Sequence, residues 1–187
     1  QRLAVFWAKA QKYASLRRLR ISTERILRIG GCAAFEYGDA ITGVAPSVVQ
    51  SRRRAVAGAL ASLPGGRDID LMFEILNVKG KRQLDPAMQA NAAPICGWAE
   101  GVYTSRCPLP LLNLTMRKAT EMLVTAKSVW QNVRGPAAAA AASAARLGWT
   151  FTSAVTLTTD NGRSLDLTLD PPAFVHRQVG AAVTRWR

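Results

Sequence analysis

Asp68 and Asp70 come closest in this chain to a spacing that does chemistry. An Asp-x-Asp holds a divalent cation in some transferases, because two hard oxygen ligands on one short segment share the ion. Here the tripeptide stands alone, with no glycine-rich phosphate loop and no second acid cluster, so no metal is expected. Gly30-Gly31 and Gly65-Gly66 lack the Gly-Lys-Ser/Thr that completes a phosphate loop and read as hinges or caps. His176, the single histidine, has no cysteine or serine close in sequence to make a nucleophile pair, and reads as a structural or surface residue. Cys32, Cys96 and Cys107 match neither a zinc-ligand pair nor a disulfide framework, and read as reduced, structural thiols. No convergent titratable groups remain, so neither catalysis nor a cofactor is expected.

Charge points elsewhere. Nineteen arginines and six lysines face twelve acids, a net charge of +13 over 187 residues. Such a surface collects polyanions, since each neutralised phosphate releases condensed counterions. Lys9, Lys12, Arg17, Arg18 and Arg20 give the N-terminal segment its highest local charge, and Arg25 and Arg28 follow. Arg52, Arg53 and Arg54 sit within one helix, where consecutive residues spread over about 200°. Arg54 is expected in water, Arg53 at an edge, and Arg52 among valines, where it must snorkel or find an anion. The nucleic-acid-binding set expected is therefore Lys9, Lys12, Arg17, Arg18, Arg20, Arg25, Arg28, Arg53 and Arg54, through sequence-independent guanidinium and ammonium contacts to phosphate. The dispersed tryptophans, Trp7, Trp98, Trp130, Trp149 and Trp186, read as core packing rather than base stacking.

The elements that position these residues are mostly helices. An apolar content of 49% is too high for a disordered basic tail, and the length suits one ordinary domain or two small ones. From Thr23 to Val44, Ile26, Ile29, Gly30, Ala33, Tyr37, Ala40, Ile41 and Val44 share one side at about 100° per residue, predicting a single buried-face helix. The mid-helix Gly30-Gly31 pair implies close packing or a kink. Pro46 opens a second helix, striped by Val48, Val49, Val56, Ala59, Leu60 and Leu63 and ended by Pro64-Gly65-Gly66. Asp68–Val78 reads as helix, with the basic Lys79, Lys81 and Arg82 after it. Asp85-Pro86 starts another helix, which Pro94 kinks or divides. Leu111–Arg134 reads as the longest helix, roughly 35 Å. Gly135-Pro136 then opens an alanine-rich helix suited to tight packing.

After Gly148 the period changes to two. A two-residue turn at Asn161-Gly162 would set Leu157 opposite Asp166, whereas a three-residue loop, Asp160-Asn161-Gly162, sets Leu157 against Leu165 and Val155 against Leu167. The three-residue loop is expected. Asp170-Pro171-Pro172 caps a last helix with Val175, Val179, Ala182, Val183 and Trp186 on its apolar side. The fold expected is mainly α, an irregular helical bundle with one C-terminal β-hairpin at about 151–169 and a final helix. Residues 1–66 form a basic helical segment and 67–187 a helical segment carrying the hairpin, or the two make one continuous domain. No run of apolar residues is long enough to span a membrane. No secretion signal is recognisable, and the start at Gln1 suggests a piece of a longer chain.

Three stretches carry a resemblance: Arg25-Ile-Leu-Arg-Ile-Gly-Gly-Cys-Ala-Ala-Phe-Glu-Tyr-Gly-Asp-Ala-Ile-Thr-Gly-Val44, Ser128-Val-Trp-Gln-Asn-Val-Arg-Gly-Pro-Ala137, and Arg146-Leu-Gly-Trp149 running on to Asp170-Pro-Pro172 and Val183-Thr-Arg-Trp-Arg187. Together they resemble the thumb and connection region that follows the reverse transcriptase palm in large, non-LTR-like retroelement polyproteins of protists. The resemblance implies RNA-directed DNA polymerase machinery inside the cell, in the nucleus. Its implied partners are an RNA and DNA template-primer and the other domains of the parent polyprotein. It transfers no catalytic residue: no Asp-Asp matches the palm aspartates, and no stretch matches the acids of a ribonuclease H. The alternative is a helical scaffold that docks onto other proteins and has no nucleic-acid role.

Overall fold

A computed structural model of the chain describes residues 2–60, 68–78 and 84–186. The expected stop at Pro64-Gly65-Gly66, with Leu63, and the basic run Lys79, Lys81 and Arg82 lie outside the described residues. The described chain is mainly helical with a small antiparallel sheet before a final helix, as its periodicities require. It divides into two compact units, residues 1–37 with 46–89 and residues 38–45 with 90–187, so the helix after Asp68 groups with the basic segment.

In the first unit, α1 (Arg2–Arg18) is followed by α2 (Glu24–Ile26), a π-helical turn (Leu27–Gly31) and α3 (Cys32–Glu36) as one run. The expected helix to Val44 stops short, because Tyr37 adopts an extended ψ and Gly38 turns left-handed at φ 89°. Its buried side also differs from expectation. Ile26, Ile29, Ala33 and Tyr37 are exposed, Ile29 at 64%, while Leu27, Gly31 and Cys32 are buried. The segment is apolar on more than one side, so periodicity alone cannot choose the face. Packing against α1 does: a Cβ on Gly31 would lie 3.0 Å from Leu27 Cδ2, 3.1 Å from Phe6 Cε2 and 3.2 Å from Tyr13 Oη. Gly30 faces open space. The two glycines therefore have different causes, close approach at Gly31 and none visible at Gly30.

Helices α5 (Pro46–Leu60) and α6 (Ile69–Val78) complete this core. Ala55, Val56 and Ala59 of α5 and Phe73 and Leu76 of α6 join Phe6, Tyr13, Leu27 and Cys32. Asp68 caps α6 by accepting the Asp70 and Leu71 amides at 2.9 and 3.1 Å. Asp85 does the same for α7 (Pro86–Tyr103), accepting the Ala87 amide at 3.0 Å. Pro94 lies inside α7 without dividing it.

The second unit takes residues 38–45, which include α4 (Asp39–Thr42), and α7 from Ala90 onward. Next come α8 (Leu109–Thr125) and α9 (Pro136–Arg146), then strands β1 (Thr150–Phe151), β2 (Thr156–Thr158) and β3 (Ser164–Asp166), and α10 (Pro172–Trp186). Helix α8 ends nine residues before the expected Arg134, since Ala126 is extended and a 3₁₀ turn, Val129–Gln131, follows. Thr125 donates its hydroxyl to the Glu121 and Met122 carbonyls, and Asn132 donates to the Ser128 carbonyl. The alanines of α9 are buried from Ala137 to Ala144 with Ser143 among them, and α9 packs on α4 and α8.

The strand expected from Phe151 to Leu157 is broken. Ser153 Oγ accepts the Val155 and Thr156 amides at 3.2 and 3.0 Å, turning the chain back so that β1 pairs antiparallel with β2. The following hairpin has the expected register: Leu157 pairs with Leu165, and the Leu167 amide reaches the Val155 carbonyl at 2.8 Å. Gly162 closes the three-residue loop at φ 79°. Leu157, Leu165 and Leu167 are buried, as are Val175, Val179, Ala182 and Val183 of α10. Asp160 ties hairpin to helix, accepting Arg185 Nε and Nη2 at 2.8 and 2.7 Å and Trp149 Nε1 at 2.9 Å. Trp98 Nε1 donates to the Ala154 carbonyl at 2.8 Å, which anchors the turn between β1 and β2 to α7.

Candidate nucleic-acid interface

Charge is unevenly divided. The first unit carries fifteen basic and six acidic residues, net +9, and the second ten and six, net +4. All nine residues expected to meet phosphate lie in the first unit.

Arg53 does not face solvent. It is 2% exposed, its Nε donates to Asp85 Oδ1 at 3.1 Å and its Nη2 to Asp70 Oδ1 at 2.6 Å, and its guanidinium lies 5.1 Å from the Phe73 ring centroid. A cation desolvated to this degree needs anions in place, and α6 and the start of α7 supply them. Arg53 is thus withdrawn from the expected set. Its neighbour Arg52 is buried as well, and Arg54 is exposed. The Asp-x-Asp is explained by the same geometry: Asp68 caps α6 and Asp70 pairs with Arg53.

Arg17 is half-buried and donates from Nη1 to the Gly58 carbonyl at 2.9 Å, bringing the end of α1 beside α5. The Thr23 hydroxyl makes a parallel tie to the Ala59 carbonyl at 3.2 Å. Helix α1 closes with the Ile21 amide on the Leu16 carbonyl and the Arg20 amide on that of Arg17, leaving Arg20 left-handed at φ 60°. That position favours glycine, and an arginine holds it at a cost of about 1–2 kcal/mol. The cations at this end also complement the helix dipole, a structural benefit that needs no ligand.

The other seven, Lys9, Lys12, Arg18, Arg20, Arg25, Arg28 and Arg54, are exposed, and none makes a side-chain ion pair or hydrogen bond among the described residues. Lys9 and Lys12, three apart, share one flank of α1; Arg18 lies on the opposite flank. On Arg18's flank, eleven residues earlier, stands Trp7, 48% exposed. Core packing, expected for all five tryptophans, does not hold for this one. An exposed indole on a basic helix is suited to stacking on unpaired bases.

The remaining candidates separate by burial. Burial pushes the Cys32 thiol up to about 12, with Glu36 adding to it, and burial alone does the same to Cys96. Neither is a thiolate at neutral pH. Cys107 and His176 are exposed. Among the described residues no group of three or more histidine, cysteine and acidic side chains is placed to hold a metal ion, and no helix is long and apolar enough to cross a membrane.

One cation went unnoticed in the sequence. Arg146, at the end of α9, lies 4.1 Å from the Trp130 ring centroid and donates to the Val44 carbonyl, while its Nε and Nη1 are buried without a hydrogen-bond partner. Burial lowers its pKa to about 10, so it stays charged at neutral pH. It braces Trp130 against the segment around Gly43, whose Cβ position would be 3.0 Å from that ring.

No protein-family model, no curated protein and no solved structure matches the chain.

Proposed function

We propose that the chain binds nucleic acid through phosphate contacts of its basic first unit, as a non-catalytic segment of a reverse transcriptase polyprotein of the kind it resembles. The observation that carries the binding is the set of seven exposed cations with no ion-pair partner among the described residues, in a unit of net charge +9. Uncompensated surface cations are where counterion release gains most, and they read a phosphate backbone without regard to sequence. Trp7 adds a stacking platform for an unpaired strand. The polymerase context rests on the resemblance, with the template and primer as partners and the active sites elsewhere in the parent chain.

The test is an anisotropy titration of the full chain against a labelled RNA–DNA hybrid across a range of salt. Each phosphate contact adds about 0.9 to the slope of log affinity against log salt. Replacing Lys12, Arg18, Arg25 and Arg28 by glutamine lowers that slope by as much as about 3–4. The matching change at Arg117, Lys127 and Arg177 of the second unit leaves it nearly unchanged. Trp7→Ala weakens a single strand more than the hybrid. No binding at low salt, or a slope indifferent to the quadruple change, ends the proposal.

A second reading has its own observation: the exposed apolar side of α2 and α3, Ile26, Ile29, Ala33 and the following Tyr37, is a surface for another protein. Under it the quadruple glutamine variant keeps all function, and Ile29→Glu abolishes association with neighbouring domains of the parent chain.

A further inference from the structure

We infer that the trough between α8 and the start of α9, in the second unit, receives an amphipathic helix bearing acidic side chains. The trough is open and has a volume of about 440 Å³. Leu111, Leu114 and Met122 of α8 wall one side and Pro136 the other. Leu111 and Leu114 remain exposed although the same helix buries Met116 and Ala119. The α8 stripe therefore continues past its own core into a face that no described residue covers.

The polar groups around this face decide the occupant. Thr115, in the middle of the stripe, spends its hydroxyl on the Leu111 carbonyl at 2.7 Å, so the wall offers no free neutral donor there. Lys118 and Arg134 line the trough, and both are exposed with no ion pair among the described residues. The single carboxylate of α8, Glu121, lies 3.8 Å from Arg117 Nε and does not neutralise them. Two uncompensated cations bordering an apolar trough repel a basic segment and favour one with acids beside its apolar anchors. The side of one helix and the start of another form a groove that accepts the side-chain ridge of a third, with anchors three and four apart.

The experiment uses the full chain and a fluorescein-labelled synthetic peptide of about five helical turns. It carries leucines at positions i, i+3, i+4 and i+7 with glutamates flanking them. Two controls are a scramble of the same composition and a version with lysine for glutamate. The patterned acidic peptide is expected to bind at least about tenfold more tightly than either control, a difference of about 1.4 kcal/mol. Leu111→Ser with Leu114→Ser weakens it, and Lys118→Glu with Arg134→Glu shifts the preference to the lysine peptide. Circular dichroism checks that each variant is folded, and the charge-reversed pair, fully on the surface, serves if the leucine variant is not. Equal binding of the scramble overturns the inference, because bulk charge alone then suffices. An unchanged ranking after charge reversal overturns it too. Displacement of the peptide by excess RNA–DNA hybrid does the same, since the peptide would then be reading the basic first unit; the nucleic-acid proposal stands or falls on its own salt slope.

Discussion

Replacing Asp85 by alanine should cost the first unit about 3–5 kcal/mol, the range for breaking a buried ion pair from one side. The magnitude follows from burial. Asp85 is 1% exposed and Arg53 2%, so removing the carboxylate leaves the Arg53 Nε desolvated with no acceptor, and it also deletes the cap on the Ala87 amide. Asp70 touches the same guanidinium at a shorter distance, 2.6 Å, yet it is 57% exposed. Water and salt already screen that contact, and Asp70→Ala should cost only about 0.2–1 kcal/mol. Distance alone would rank the two partners the other way. Arg53→Met with Asp85→Ala should cost less than the sum of the single changes, by about 0.5–3 kcal/mol, because one burial penalty disappears with both charges. Urea unfolding of the full chain followed by far-ultraviolet circular dichroism reads these differences as midpoint shifts at constant slope. Equal costs for Asp70→Ala and Asp85→Ala, or additivity in the double variant, would refute the assigned roles of the two carboxylates. So would an Arg53→Met variant that loses affinity for an RNA–DNA hybrid without losing stability, since Arg53 would then be a contact residue.

The neighbouring glycines should respond with opposite signs: Gly30→Ala stabilises by about 0.5–1 kcal/mol, as open space surrounds it, whereas Gly31→Ala overpacks Leu27, Phe6 and Tyr13 and costs about 1–3 kcal/mol; thermal melts of the two variants compare them directly. Arg20→Gly should raise stability by about 1 kcal/mol by relieving the left-handed arginine, while weakening binding to the hybrid, a pairing of melt and titration that a purely structural Arg20 would not produce. Asp160 has its pKa lowered chiefly by the hydrogen bond from Arg185, with Trp149 contributing, so its stabilisation is present above the ordinary carboxylate range and is lost as pH falls through the lowered folded value. The urea-midpoint gap between wild type and Asp160→Asn should accordingly be open at neutral pH and close in acid; a gap that stays constant would refute the assignment.

The candidate interface was legible where it depended on side chains that stay in water. Exposure of Lys9, Lys12, Arg18, Arg25, Arg28 and Arg54 needs nothing from the rest of the chain beyond a helical backbone and a face already filled by other residues. Arg53 was misplaced at an edge because its partners, Asp70 and Asp85, come 17 and 32 residues later, from other elements, and no local pattern announces them. Trp7 escaped for the converse reason. An indole is usually buried, and only the docking of Phe6 and Tyr13 onto Gly31 turns Trp7 toward solvent.

What the sequence determined by itself was local. The period-two leucines and Gly162 favour the three-residue loop, since the one-residue slip of a two-residue turn sends those leucines to the wrong face; Asp85 starts α7 by accepting the Ala87 amide, beside a proline that has no amide to satisfy; and the final helix follows from its own stripe. Packing against other elements settled which side of the segment from Thr23 to Tyr37 is buried and which arginines keep their charge available. Those outcomes depend on what volume and what carboxylates arrive from distant parts of the chain, and periodicity, which reports only how one segment is made, carries no information about them.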